Sequence, residues 1–163
     1  MTTTDEPTHA TDRGATIVVG IDGSPPSRDA LAWAVHLARQ LDAGVRALQV
    51  SDDVFTAQRK GYCTREQAEE WSATARREGI AAMRQMVEDL GEEAAGIEVE
   101  LDVLPGQPAD VLVEASRDAQ LLVVGPRGMG RLRLLLGSVS LACLQQAHCP
   151  VVVVRGMEGE LSA

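Results

Sequence analysis

The stretch with the most chemical promise runs from Gly125 to Ser140, Gly-Pro-Arg-Gly-Met-Gly-Arg-Leu-Arg-Leu-Leu-Leu-Gly-Ser-Val-Ser. Glycine lets backbone N–H groups approach a ligand without a Cβ in the way, and a helix N-terminus carries partial positive charge. The hydroxyls of Ser138 and Ser140 can donate to phosphate oxygens, and Arg127, Arg131 and Arg133 can neutralise what remains. The spacing excludes two better-known phosphate loops. A Walker loop needs GxxxxGK followed by Ser or Thr, and the sole lysine of this chain is Lys60, away from any glycine loop. The dinucleotide fingerprint needs a third glycine in register, which neither Gly20-x-x-Gly23 nor Gly128-x-Gly130 has.

Catalytic groups are sparse by comparison. No GxSxG nucleophile elbow is present. His9, His36 and His148 are scattered, and none pairs with a base or a metal ligand. Asp52-Asp53 follows the second strand rather than the first, which argues against a receiver-type acidic pocket. Cys63, Cys143 and Cys149 are odd in number without CxxC spacing, so neither a disulfide framework nor a zinc site is indicated. No catalytic or metal-ligating residues are assigned.

The elements that must position the glycine segment can be read from periodicity. Residues 15–21 form a β-branched run ending in Asp22-Gly23-Ser24-Pro25-Pro26, strong turn chemistry, with Ser27 able to cap the next helix. Leu31, Ala34, Val35, Ala38 and Leu41 recur at helical spacing until Gly44. Residues 45–50 read as a second strand and 51–63 as a surface loop. Thr64 with Gln67 makes a capping box for a long polar helix towards Leu90, in which Gly79 marks a bend or break. Residues 97–104 alternate apolar and acidic, as a strand near a sheet edge does, and Pro108 suits the first turn of a helix reaching Arg117. Residues 121–125 are a central, doubly covered strand. A helix over 138–147 and a last apolar strand over 151–154 complete a βαβαβαβαβ order. That order implies an α/β fold, a doubly wound parallel sheet of five strands with helices on both faces. Ligands of such sheets sit beyond the carboxyl ends of the strands, where the strand order reverses. If the first and fourth strands are neighbours there, the loops 22–26 and 125–140 share one crevice.

Composition sets the outer bounds. The chain has 163 residues, 45% hydrophobic and 24% charged, the size and character of one globular domain. Its only aromatics are Trp33, Phe55, Tyr62 and Trp71, too few for base-stacking platforms. The net charge of −9 disfavours nucleic acid and anionic membranes. That charge is uneven, since no carboxylate occurs between Ala119 and Arg155, a stretch holding four arginines and the glycine segment. No apolar run reaches the length of a transmembrane helix, and residues 1–14 lack the basic start and apolar core of a signal peptide. The expectation is a cytoplasmic protein with tails at 1–14, disordered, and 156–163.

Four motifs together resemble the universal stress protein family. They are Ile21-Asp22-Gly23-Ser24, Gly106-Gln107-Pro108-Ala109, the segment Gly125-x-x-Gly128 leading to Gly137-Ser138, and Cys149-Pro150 followed by Val151–Arg155. The resemblance covers about residues 15–155 and implies a Rossmann-like, adenine nucleotide alpha hydrolase-like sheet of order 3-2-1-4-5. ATP-binding members place nine residues between GxxG and the following Gly-Ser or Gly-Thr, whereas this chain has eight, Met129 to Leu136. Carried across, the resemblance implies Asp22 beside the nucleoside, Ile21 against the base and Val50 as the apolar floor of the adenine pocket. Val124, Gly125, Arg127 and Gly128 would lie along ribose and phosphates. Gly137, Ser138, Val139 and Ser140 would supply amides and hydroxyls to the triphosphate, with Mg2+ or Mn2+ on the phosphates. Asp22 reads equally well as a turn-forming Asx residue.

The resemblance further implies a homodimer, in line with a bare apolar final strand that invites pairing. The function implied is an ATP-dependent regulatory protein of the stress response, acting on a protein partner, with hydrolysis slow at most. An interaction module that binds no nucleotide is the alternative, with the short loop as its signature. A synthetase of the pyrophosphatase type is a weaker third, since Asp22-Gly23-Ser24-Pro25 is not the SGGxDS loop it would need.

Overall fold

The computed structural model describes residues 15–126 and 136–156, and of residues 52–55 the backbone alone. Five parallel strands, β1 (Thr16–Ile21), β2 (Gly44–Ser51), β3 (Val99–Pro105), β4 (Leu121–Val124) and β5 (Val151–Val153), form one sheet in the order β3-β2-β1-β4-β5. The helices are α1 (Pro25–Leu41), α2 (Asp52–Arg59), α3 (Arg65–Asp89), α4 (Pro108–Ala115) and α5 (Ser138–Gln146). Short 3-10 turns come after α3 at Gly91–Ala94 and after α4 at Ser116–Asp118. The alternation expected from the sequence is therefore present, and the strand order reverses between β1 and β4, as a shared crevice requires.

Strand periodicity sends the side chains of β1 to both faces. Ile17, Val19 and Ile21 join Leu31, Val35 and Ala38 of α1 and Met83 and Met86 of α3 in one core layer. Val18 joins Leu48, Leu122 and Val124, which α4 covers through Leu112 and α5 through Cys143. Both layers are apolar, and their burial supplies the main stabilisation at about 25 cal/mol per Å2.

Three local expectations are corrected. Residues 52–59 are helical instead of part of a loop, because packing on α3 stabilises a helix too short to stand alone. Ser24, not Ser27, is the N-cap of α1; Ser27 instead donates its hydroxyl to the Ser24 carbonyl at 2.8 Å. Gly79 neither bends nor breaks α3. It is buried in mid-helix where a Cβ would stand 2.8 Å from Val103 Cγ2, so it allows close packing of helix on sheet. The capping box is formed as expected, Thr64 Oγ1 accepting from Gln67 N and Gln67 Oε1 accepting from Thr64 N at 2.9 Å.

Candidate functional site

At the carboxyl ends of β1 and β4 the reversal of strand order opens a cleft of about 200 Å3. Its lining contains seven residues expected from the sequence: Ile21, Asp22, Val50, Val124, Gly125, Val139 and Ser140. Gly137 and Ser138 do not line it; they form the N-terminus of α5 beside it, Gly137 as N-cap without a side-chain cap. Arg127 and Gly128 lie outside the described residues, as does most of the shortened loop. Sequence reasoning missed Gly20, Ser27, Leu48, Pro108 and Leu112, which also line the cleft. A signal for Pro108 was present in Gly106-Gln107-Pro108-Ala109, which places α4 as a wall. Leu48 and Leu112 are core residues with one side left open to the cleft.

Local hydrogen bonding shapes the rim. Asp22 Oδ1 accepts from the Ser24 amide at 2.9 Å and from the Ser24 hydroxyl, so the Asx-turn role is realised. Gly23 supports that turn with φ of +81°, a conformation costly for other residues. Gly125 serves packing as much as access, for a Cβ there would stand 3.1 Å from Pro26 Cβ and 3.3 Å from the Pro26 carbonyl carbon. The two ends of the glycine segment are pinned together. Gly137 N donates to the Pro126 carbonyl at 2.7 Å, and Ser140 Oγ donates to the Gly125 carbonyl at 2.6 Å. The Ser140 proton is thus committed within the protein, and this hydroxyl can offer a ligand only its acceptor lone pairs.

The chemistry of the cleft follows from the side chains around it. Its walls are mostly apolar, and Asp22 is the only ionisable side chain among the described residues lining it. His36 hydrogen-bonds Gln40 on the exposed side of α1, and the His148 amide donates to Ser116 Oγ, so both histidines belong elsewhere. Burial pushes the Cys143 thiol up to about 11 and raises Cys149, which keeps both in the unreactive thiol form at neutral pH.

Fold and cleft define a class of protein: an open, doubly wound α/β module with a concave apolar site where strand order reverses. Comparison with known proteins makes the class specific. A family model described as the universal stress protein family matches residues 15–155, and the chain belongs to that family. It is 37% identical over 143 residues to a universal stress protein of Mycolicibacterium smegmatis, covering 86% of this chain and 48% of that one. It is 35% identical over 142 residues to universal stress protein MJ0531 of Methanocaldococcus jannaschii, covering 85% and 81%. The chain spans about half the length of several of the curated relatives it matches. Among solved structures, UspA from Lactobacillus plantarum superposes with a TM-score of 0.68 at 25% identity, covering 88% of this chain and 99% of that one. A universal stress protein in complex with cAMP superposes at 0.58 and 26% identity, covering 86% and 95%. No helix among the described residues is long and apolar enough to cross a membrane.

Proposed function

We propose that this chain is a nucleotide-dependent regulatory protein of the stress response that binds ATP in the β1/β4 cleft and acts as a homodimer on a protein partner. The observation that carries the reading is the convergence of Ile21, Asp22, Val50, Val124, Gly125, Val139 and Ser140 on one apolar cleft beside the N-terminus of α5. Ile21, Leu48, Val50 and Leu112 offer a planar base apolar contact. The free amides at the start of α5 offer hydrogen bonds to phosphate oxygens. A cleft of about 200 Å3 takes a base and part of a sugar; the phosphates would extend past it along Gly137 and Ser138. The cAMP complex of the relative at 26% identity supports an adenine nucleotide as ligand class. No three or more of His, Cys, Asp and Glu gather as metal ligands among the described residues, so Mg2+ or Mn2+ would be carried chiefly by the phosphates. With Asp22 as the one ionisable wall residue among the described residues, hydrolysis would be slow at most. Three free cysteines suit a reducing, cytoplasmic setting.

Dimerisation would use β5, an edge strand that no other described strand pairs on its outer side. The exposed Leu141 and Leu144 of α5 extend the apolar surface on that side of the sheet.

The test is calorimetric titration with ATP, AMP and cAMP of the natural chain and of a Gly137→Val, Ser138→Ala variant. The expected result is ATP binding that the double substitution weakens about tenfold or more, the scale of a lost charge-assisted hydrogen bond. Binding unaffected by the substitutions would move the phosphates away from α5. Absence of heat with all three nucleotides would favour the second reading, an interaction module that binds no nucleotide. The internal commitment of the Ser140 proton and the one-residue-shorter loop are the observations on its side.

A further inference from the structure

Strand β1 carries one residue that its own secondary structure does not call for. Thr16–Ile21 is β-branched except at Gly20, and a glycine inside a strand costs backbone entropy and leaves nothing to pack. Conformation does not demand it, because Gly20 is not among the glycines of positive φ and its pairing with Leu48 of β2 continues the register without a bulge. Ile17, Val18, Val19 and Ile21 are buried, whereas Gly20 is half-buried, since the cleft reaches the bare backbone there.

A Cβ at this position would meet two walls of the cleft. It would stand 3.1 and 3.4 Å from the two Cδ atoms of Leu112 on α4, and 3.4 Å from Val124 Cγ1 on β4. The shortest of these lies inside the comfortable separation of two carbons, so a neighbour must give way. Val124 is β-branched and fixed in the sheet, whereas the longer Leu112 side chain can turn, with the cleft on its free side. The added methyl group and the displaced leucine would both take volume from the floor of a cleft of about 200 Å3. A one-ring base still fits a shallower cleft; a two-ring base needs the full depth.

We propose that Gly20 determines base specificity: its missing Cβ keeps the cleft open down to the backbone of β1, with Leu112 as the adjustable wall, and so admits a purine. The inference rests on the reading of the cleft as a nucleotide site and names the residues that set what the site selects. The determinant is a pair, because Leu112 rests in space that only a glycine leaves. Carbon can be moved across that pair. Gly20→Ala adds one carbon, and Leu112→Val removes one while leaving no Cδ atom to collide with it, so the total volume is conserved.

The experiment is calorimetric titration with ATP and with CTP of the natural chain, of Gly20→Ala, and of Gly20→Ala combined with Leu112→Val, each followed by thermal unfolding. The natural chain should bind ATP more tightly than CTP. Gly20→Ala should weaken ATP about tenfold, the lower end for one methylene of misfit in an apolar pocket, and CTP less than about twofold. Alanine is better than glycine inside a strand, so the melting temperature of Gly20→Ala should hold or rise while its ATP affinity falls. The double variant should recover most of the preference for ATP. Four results would overturn the proposal and leave the nucleotide site standing: CTP bound by the natural chain as tightly as ATP, both nucleotides weakened alike or not at all by Gly20→Ala, no recovery in the double variant, or a loss of affinity that tracks a fall in melting temperature. No heat from either nucleotide with the natural chain would overturn the nucleotide site and, with it, this role of Gly20.

Discussion

Along β3 the chain alternates Val99, Leu101 and Val103 with Glu100 and Asp102, whereas β5 is three valines in succession. Each is an edge strand with one row of backbone groups turned away from the sheet, and the two are finished in opposite ways. On the β3 side the Glu98 carbonyl bonds Val45 of β2, which leaves the Val103 carbonyl on the outer row. Arg76 reaches round from α3 and donates to that carbonyl at 3.2 Å and to Asp102 Oδ1 at 3.0 Å. Arg46 of β2 holds the other Asp102 oxygen at 2.9 Å. Charge and a capped carbonyl are the ordinary means of blunting an edge. On the β5 side Val154 N and the Pro150 carbonyl bond to β4, so the outer row belongs to Val151 and Val153. Residues 151–153 bear no charge, and Leu141 and Leu144 of α5 lie exposed. The contrast teaches that an exposed edge is tolerable where charge guards it, and it assigns the pairing role in the proposed dimer to β5.

The largest effect should come from charging the open edge. Val153→Lys should convert the proposed homodimer to monomer, weakening association by a factor of about 100 or more, as checked by analytical ultracentrifugation. An unchanged sedimentation profile would remove β5 from the interface. Next in size is Asp102→Ala, which strips the guarded edge of its anchor and leaves the half-buried Arg46 without its carboxylate partner. A loss of about 1–3 kcal/mol in urea unfolding is expected.

The same pair gives a pH test. Burial works to raise the Asp102 carboxyl, yet hydrogen bonds from Arg46 and Arg76, with their charges, hold it below its ordinary 3.8. A depressed folded-state value means that the stabilisation is complete above 3.8 and is lost as pH falls through the lower folded value. The stability difference between the natural chain and Asp102→Asn should therefore be flat from neutral pH down to about 5 and shrink below 3.8. The smallest effect belongs to Arg76→Ala. Its side chain is 53% exposed, so the stability change should be about 0.5 kcal/mol, while light scattering should reveal more self-association through the unguarded β3 edge.

Much of this was legible in the sequence because it depends on neighbours along the chain. The wet alternation over 97–104 marked an edge strand, and the apolar run 121–125 marked a central one. The Thr64–Gln67 box marked the start of α3. Helix α2 was not legible, because its stability comes from packing on α3 and residues 52–59 show no clean apolar period. The 3-10 turn at Gly91–Ala94 was hidden for a similar reason. Arg39 of α1, more than fifty residues earlier, helps hold that region by donating to the carbonyls of Glu92, Glu93 and Ala95 at 3.2, 2.8 and 2.8 Å.

For the candidate site the division is sharper. By itself the sequence determined the order of elements, the acid-free stretch and the glycine segment after a central strand, since each is a local pattern of residue types. Tertiary structure alone decided that Leu48 and Leu112, far apart in the chain, border one cleft. It decided too that Gly125 must be small because Pro26 is against it, and that the Ser140 proton is committed to the Gly125 carbonyl. Sequence periodicity fixes which way a side chain faces, while the neighbour it meets there depends on how the strands are ordered.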